Sequence, residues 1–515
     1  MRSSFLGLEV SKRSIQISQK ALDITSNNLN NITTEGYTRQ RVDTSSLHLG
    51  SYNNWQTRIA KLSLAGQGVN ALGVAQVRDS YIDKRYREQT CYVAQYDTKS
   101  SILTELETVL DNIDNTGLTN AMDNFKQALN SYAEQPDSKE LSSIVRNQAL
   151  NITTMLKGYT NDLTDLKNDT LSSLQGSVED VNTLIQKIVN YNDAIVHEYS
   201  ITGAGKIYNG ESVIGSYGPN ELIDARNLLI DELSFYGNIH VEDNANGSVK
   251  ITMGDLVIVN DQKYESLIMK DYDDYGAVNL RWTNGDSFKT MSGDINAYID
   301  MLNGNGPYAN HYQNSEYGIP YYQSSLDAFA SSFASLMNSI NGMDDDASRV
   351  LFSSSSDYYD DNGTLIRGKI TAGTIRISEE WMNDPTMPGQ VYNEKTGKWS
   401  LSLDGETVNR FIDALNTEMD IGDKNDFHGS CYEFLQFLSN RLGQNIGFLK
   451  EQYEVANNTA NGLLDSRDAV SGVSDTEEGI NMLTYQKWFN ASSRMMTAMD
   501  ECLDRIINNM GIVGT

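Results

Sequence analysis

Apolar positions at both ends of the chain repeat every seven residues. With Tyr485, Ser492, Met499 and Ile506 as heptad position a, position d holds Trp488, Met495, Cys502 and Asn509. Position e then holds Phe489, Met496, Leu503 and Met510. Only Ser492 and Asn509 among these are polar, so the pattern predicts a helix with an a/d/e face, wider than a two-stranded seam. Asp475 or Thr476 is placed to cap it, with Glu477 and Glu478 favourable in its first turn. At the other end Leu8, Ile15, Leu22 and Leu29 form one stripe and Val10, Ile17 and Ile24 another. The two are offset by two residues and therefore lie on nearly opposite sides of one helix. Such a helix is either interior to a large domain, or it meets its own C-terminal helix on one side and another subunit on the other. A terminal helix of this kind is marginal alone, so the ends are expected to be frayed in a lone chain and ordered by neighbours.

Between the ends, Ile102, Leu106, Val109 and Ile113, then Met122, Phe125, Leu129 and Tyr132, predict one or two helices over 97–134, stopped by Gln135-Pro136. Asp137 or Ser138 caps a long helical segment running to about residue 199, and no proline occurs between Pro136 and Pro219. A short helix follows over about 221–236. The period then changes from 3.6 to 2: Ile239 and Val241, a turn at Asn246-Gly247, then Val249, Ile251 and Met253. Val278, Leu280 and Trp282 continue the strand character. Helix returns over about 320–341 and again from Tyr432 to about Leu464. Ile375–Ile377 and Leu401–Leu403 are strand-like pieces in a stretch rich in Asp, Gly and Ser.

The expected fold is therefore mostly α with inserted β-rich segments. Terminal helices pair as a coiled coil, a rod-like helical bundle follows, and the β insertions sit at the far end. In domains, 1–70 with 465–515 form the terminal unit. Residues 71–236 with 290–343 and 425–464 form the bundle, 237–289 a small β-rich segment and 344–424 a β-rich insertion.

The chain has 515 residues, enough for several domains, and a formal charge of −29. That field opposes a nucleic-acid backbone or an anionic membrane surface as main partner. Cys91, Cys431 and Cys502 are too few and scattered for a disulfide framework. No apolar run is long enough to insert in a membrane, and Glu9, Lys12 and Arg13 interrupt any secretory h-region.

Chemical motifs are sparse. Thr202–Lys206 mimics the tail of a phosphate loop, but Ile201 stands where its first glycine belongs and Ile207 where Ser or Thr would hold magnesium. The five histidines are isolated in sequence. The acidic runs at Asp344–Asp346 and Asp357–Asn362 lack EF-hand spacing. No catalytic, cofactor or metal site is expected.

One set of motifs does carry a resemblance. Ser26-Asn27-Asn28-Leu29-Asn30-Asn31 followed by Thr34–Gln40, which includes Gly36 and Tyr37, resembles the N-terminal signature of flagellar rod, hook and hook-associated proteins. Ser471-Gly472-Val473-Ser474, then Glu477-Glu478, Tyr485-Gln486 and Asp500–Asp504, resembles their C-terminal helix, and fits the hook-associated members better than the hook protein. Asn220–Leu233 is similar to an internal segment of those members. The resemblance implies a structural protein that assembles as a ring homo-oligomer at the hook–filament junction, between hook protein and hook-associated protein 3. It further implies export without a cleaved signal to an extracellular working place, and an export chaperone bound through the C-terminal region. Another axial protein, of hook or rod type, and a coiled-coil binding or adhesion protein are the alternatives. In this frame Asn27, Asn28 and Asn31 end the first helix through side-chain bonds. Gly36 permits the turn before Tyr37.

Overall fold

A computed structural model of the chain describes residues 4–46, 68–114, 117–202, 218–270, 277–289, 291–310, 313–342, 349–360, 365–393, 398–402, 404–421 and 427–509. The phosphate-loop mimic beyond Thr202, the Asp344–Asp346 run, Asp361-Asn362 and Met510 lie outside them. Eleven helices are described. They are α1 (Ser4–Asn30), α2 (Ser80–Asp114), α3 (Leu118–Glu134), α4 (Lys139–Thr202), α5 (Asn220–Tyr236), α6 (Asp294–Asn303), α7 (Ile319–Gly342), α8 (Glu379–Asn383), α9 (Glu406–Leu415), α10 (Cys431–Ser471) and α11 (Asp475–Asn509). The fold is mostly helical, with several small antiparallel sheets.

The punctuation follows local chemistry. Pro136 separates α3 from α4, and the Ser138 hydroxyl caps α4 by accepting the Leu141 N–H at 3.2 Å. α11 starts one residue earlier than expected in its capping: Ser474 Oγ accepts the Glu477 N–H at 3.4 Å. α10 runs through to Ser471, past the expected end near Leu464, because nothing between them breaks a helix.

The chain folds into two compact units. The first comprises residues 1–91, 181–266 and 457–515, the second 92–180 and 267–456. This grouping divides the segments differently from the four expected from sequence: strands over 239–264 belong to the first unit, and those over 267–282 and 352–429 to the second.

In the first unit, β1 (Gln40–Ser46) pairs antiparallel with β2 (Val69–Gln76), with a register shift between Asp43 and Thr44. β3 (Ile239–Asp243), β4 (Val249–Met253), β5 (Leu256–Asn260) and β6 (Lys263–Tyr264) form a meander in that order. The expected Asn246-Gly247 turn joins β3 to β4, with Gly247 at φ 88°, where L side chains are strained. Asn192 of α4 ties this sheet down: its Oδ1 accepts the Val249 N–H at 3.1 Å and its Nδ2 donates to Asp261 O at 3.1 Å.

The second unit has one continuous hydrophobic core. Phe125, Phe329, Phe333, Phe352, Trp381 and Phe434 are fully buried and meet as stacked or edge-on rings. The stretch 344–424, read from sequence as β-rich, also contributes α9, whose Val408, Phe411, Ala414 and Leu415 are buried at helical spacing.

Candidate assembly site

α1 and α11 pack side by side and antiparallel. Contacts recur every seven residues: a Cβ at Gly7 would lie 2.6 Å from the Met499 methyl, Ser14 Oγ and Ser492 Oγ are 2.7 Å apart, and Asn28 Nδ2 donates to Glu478 Oε2 at 3.2 Å. The side of α1 that meets α11 is therefore a stripe of small residues. Gly7, Ser11, Ser14, Ser18, Ala21, Thr25 and Asn28 alternate steps of four and three, and Ser11, Ser18, Ala21, Thr25 and Asn28 are buried. At 100° per residue this stripe lies between the two aliphatic stripes, with Leu8, Ile15, Leu22 and Leu29 on one flank and Val10, Ile17 and Ile24 on the other. Ile24 is buried and the other flank residues are half-buried. The Val10 flank meets the chain itself, since a Cβ at Gly68, just before β2, would stand 3.3 Å from the Val10 methyls. Sequence periodicity assigned the helix-pairing role to the leucines. The small stripe escaped because a hydrophobicity pattern gives Gly, Ser, Ala and Thr no weight.

α11 divides its wide apolar face. Tyr485, Phe489, Met496, Met499 and Leu503 are half-buried on the side toward α1. Position d points away: Trp488 is 55% exposed, Met495 49%, and Cys502 is exposed, as is Ile506 of position a. Isolated exposed apolar residues are ordinary, but Trp488, Met495 and Cys502 align at seven-residue spacing on one helix.

At the Asn28 end the pair is closed by a polar knot. Asn28 Oδ1 accepts the Gln40 N–H at 3.0 Å and the Tyr37 hydroxyl at 2.9 Å, and Nδ2 donates to Gln40 O at 2.9 Å as well as to Glu478. Arg39 reaches Glu478 Oε1 through Nε at 2.8 Å and Glu477 Oε2 through Nη1 at 2.7 Å, while its backbone N–H donates to Ser471 O at 2.9 Å. Asn31 Nδ2 closes the end of α1 on Asn27 O at 2.9 Å. Gly36 sits at φ 75°, which makes the turn into Tyr37, and Gly472 follows the last residue of α10. Burial, reinforced by Asp224, Glu221 and Glu478, pushes the Tyr37 hydroxyl up to about 12, so it stays a donor. Asp224 of α5 holds the linker from beneath, accepting Thr38 N–H at 3.1 Å and Gln76 Nε2 at 2.8 Å. Burial raises its carboxyl to about 6 against the lowering effect of hydrogen bonding from Thr38 and of the Arg78 charge.

A second charged cluster braces the helices around this site. Asp231 of α5 receives Arg87 Nε at 2.6 Å and Arg467 Nη1 at 2.7 Å, Arg78 Nε donates to Asp83 at 2.5 Å, and Arg467 lies 4.7 Å above the Tyr86 ring. Of these residues only Asp231, within the Asn220–Leu233 segment, stood out in the sequence. Among the described residues no group of side chains has the makings of a metal site, and no helix is long and apolar enough to cross a membrane.

Comparison with known proteins bears on these same elements. Residues 103–349 match the flagellar hook-associated protein FlgK helical domain. Residues 15–38 match the flagella basal body rod protein family, and 468–510 the flagellar basal body rod FlgEFG protein C-terminal family. The chain is 28% identical over 548 aligned residues to flagellar hook-associated protein 1 of Bacillus subtilis (strain 168), covering 100% of both chains. It is 25% identical over 243 residues to flagellar hook-associated protein 1 of Escherichia coli (strain K12), spanning 46% of this chain and 40% of that one. In structure it resembles the flagellar hook junction protein FlgK from Burkholderia pseudomallei, with a TM-score of 0.57 at 10% identity over 75% of this chain and 100% of the other, a likeness of fold.

Proposed function

We propose, on the premise that this chain belongs to the flagellar hook-associated protein 1 family, that it is a structural protein of the bacterial flagellum which joins hook to filament through its terminal helices. One observation carries this reading. The two segments that match axial-protein families, 15–38 and 468–510, fall on α1 with its following turn and on α11, the two helices that pair at opposite ends of the sequence. The paired helices offer an outward row of Trp488, Met495 and Cys502 for neighbouring copies. Burying that row between subunits would supply order that a lone pair lacks.

The finer reading follows from the family. The partners are further copies of this chain in a ring, hook protein on one side and hook-associated protein 3 on the other, with an export chaperone engaging the C-terminal region before assembly. The working place is outside the cell, reached without a cleaved signal, and the role is mechanical, with no catalysis.

The test is genetic and visual. Cells lacking the chain should carry hooks without filaments and release filament protein into the medium. The full chain should restore filaments, and a chain ending before residue 468 should not. Normal filaments in the deletion strain would refute the proposal.

A further inference from the structure

Register in a helix pair is set by bulky side chains that fit one set of holes, or by single buried polar groups that find partners in one alignment only. The α1–α11 pair is poor in the first device. Its α1 side is Gly7, Ser11, Ser14, Ser18, Ala21 and Thr25, so α1 sends no bulky knob toward α11, whose facing side carries Tyr485, Phe489, Met496, Met499 and Leu503 beside Ser492. A shallow stripe without bulky knobs on α1 offers no unique set of holes, and two of the side chains facing it are flexible methionines, so it accommodates more than one alignment. Sliding α11 by one heptad would set Ser14 against Tyr485 or Met499; the Met499 methyl, which leaves no room for a Cβ at Gly7, is the free end of a flexible side chain and can shift to admit a serine.

The polar knot supplies the second device. Asn28 is buried and all of its side-chain hydrogen-bonding directions are used: two donated bonds to Gln40 O and Glu478, two accepted from Gln40 N–H and Tyr37. Glu478 is equally buried and is held by Arg39, whose backbone is fastened to Ser471. A heptad slip carries Glu478 away from Asn28 and Arg39. It leaves a buried carboxylate and a buried amide short of partners, an outcome folded proteins avoid.

We propose that Asn28 and Glu478, strapped together by Tyr37 and Arg39, are the positioning residues that set the register of the terminal helix pair. Through that register they fix which α11 side chains each subunit presents. Only this last consequence rests on the assembly role.

Disulfide trapping in the purified full-length chain tests the proposal directly, with no need for flagella. Cys502→Ser removes the exposed native thiol, while Cys91 and Cys431 are buried. Ser14→Cys is combined with Ser492→Cys for the observed register, and with Tyr485→Cys or Met499→Cys for registers one heptad away. With the knot intact, the Ser14/Ser492 pair should oxidise at least about tenfold faster than either displaced pair. Asn28→Leu removes the amide while favouring helix, and should bring the three rates within about threefold of each other, with helical circular dichroism retained. Glu478→Gln keeps an oxygen acceptor for Asn28 and should retain the preference. Two results would overturn the proposal: an undiminished preference in Asn28→Leu, or loss of all three crosslinks together with helical signal. The latter would make the knot a stabilising element with no role in register.

Discussion

Replacing Asp231 with alanine tests whether the charged cluster is the brace of the first unit. The carboxylate accepts from two guanidiniums on different helices, Arg87 of α2 at 2.6 Å and Arg467 of α10 at 2.7 Å. The side chains of Arg87 and Asp231 are 9% and 10% exposed, so water cannot simply take the place of the lost acceptor. The neighbouring Asp83 already bonds Arg78 and lies 3.9 Å from Arg467, so it is poorly placed to replace the lost acceptor. Removing one partner of a buried ion pair costs about 3–5 kcal/mol, most of it the penalty of the charge left behind. At about 1.4 kcal/mol per decade, local opening should become roughly a hundredfold to a few thousandfold more frequent. Amide hydrogen exchange reads this directly, in α2 over 80–91, in α5, and in α10 over 457–471. The second unit should exchange as before. Arg87→Met added to Asp231→Ala should recover part of the loss, because it removes one stranded charge. An increase below about tenfold in all three segments would refute the reasoning, since it would mean the guanidiniums find other acceptors at little cost.

Three further outcomes follow. Asp224 has a carboxyl near 6 in the folded chain against an ordinary 3.8, so its contribution is fully present below about pH 4 and is lost as pH rises through 6. That amounts to at most about 3 kcal/mol, and Asp224→Asn should flatten the urea midpoint between pH 4 and 7, whereas parallel slopes for the two chains would exclude it. Met499→Asp places a carboxylate against Gly7 and should abolish assembly into flagella while the second unit melts unchanged; normal assembly would count against the role of the helix pair. Gly36→Val puts a β-branched residue at φ 75°, with its Cβ 3.4 Å from Leu228 Cβ, and should cost about 1–2 kcal/mol in urea unfolding, chiefly as backbone strain.

Much of the helical frame was legible in the sequence, because α3, α4 and α7 bury wide apolar faces, α11 carries an apolar period although it is only half-buried, and Pro136, Ser138 and Ser474 mark ends of α3, α4 and α11. The β3–β4 hairpin was legible for the same kind of reason, a period of two on either side of Asn246-Gly247. What escaped obeys a different physics. β1 reads as a polar segment, since Arg41 and Thr44 face out, and β2 mixes Asn70, Gly73 and Gln76 with small and aliphatic residues, while Gly68 just before it meets α1 at Val10 through the absence of a side chain. α9 was hidden by its brevity inside a run of Asp, Gly and Ser, although Val408, Phe411 and Leu415 carry a helical signal. The brace could not be seen as such: Asp231 lies in the Asn220–Leu233 segment, but Asp83, Arg87 and Arg467 each look like a solvated charge until folding brings them to it. At the candidate site, the apolar face of α11 and the Asn and Glu motifs were visible. The partner surface on α1 was not, since its contribution is the absence of bulk.

The pairing of Asn28 with Glu478 spans 450 residues, and that of Ser14 with Ser492 spans 478. At about 5–20 residues per second, a ribosome needs roughly 20–100 seconds to deliver the second half of each contact after the first has emerged. The opening helix therefore waits, unmatched, through nearly the whole of synthesis. A polypeptide cut short anywhere upstream of α11 can never close its own ends, so the pairing of α1 with α11 reports that translation has run almost to its last codon.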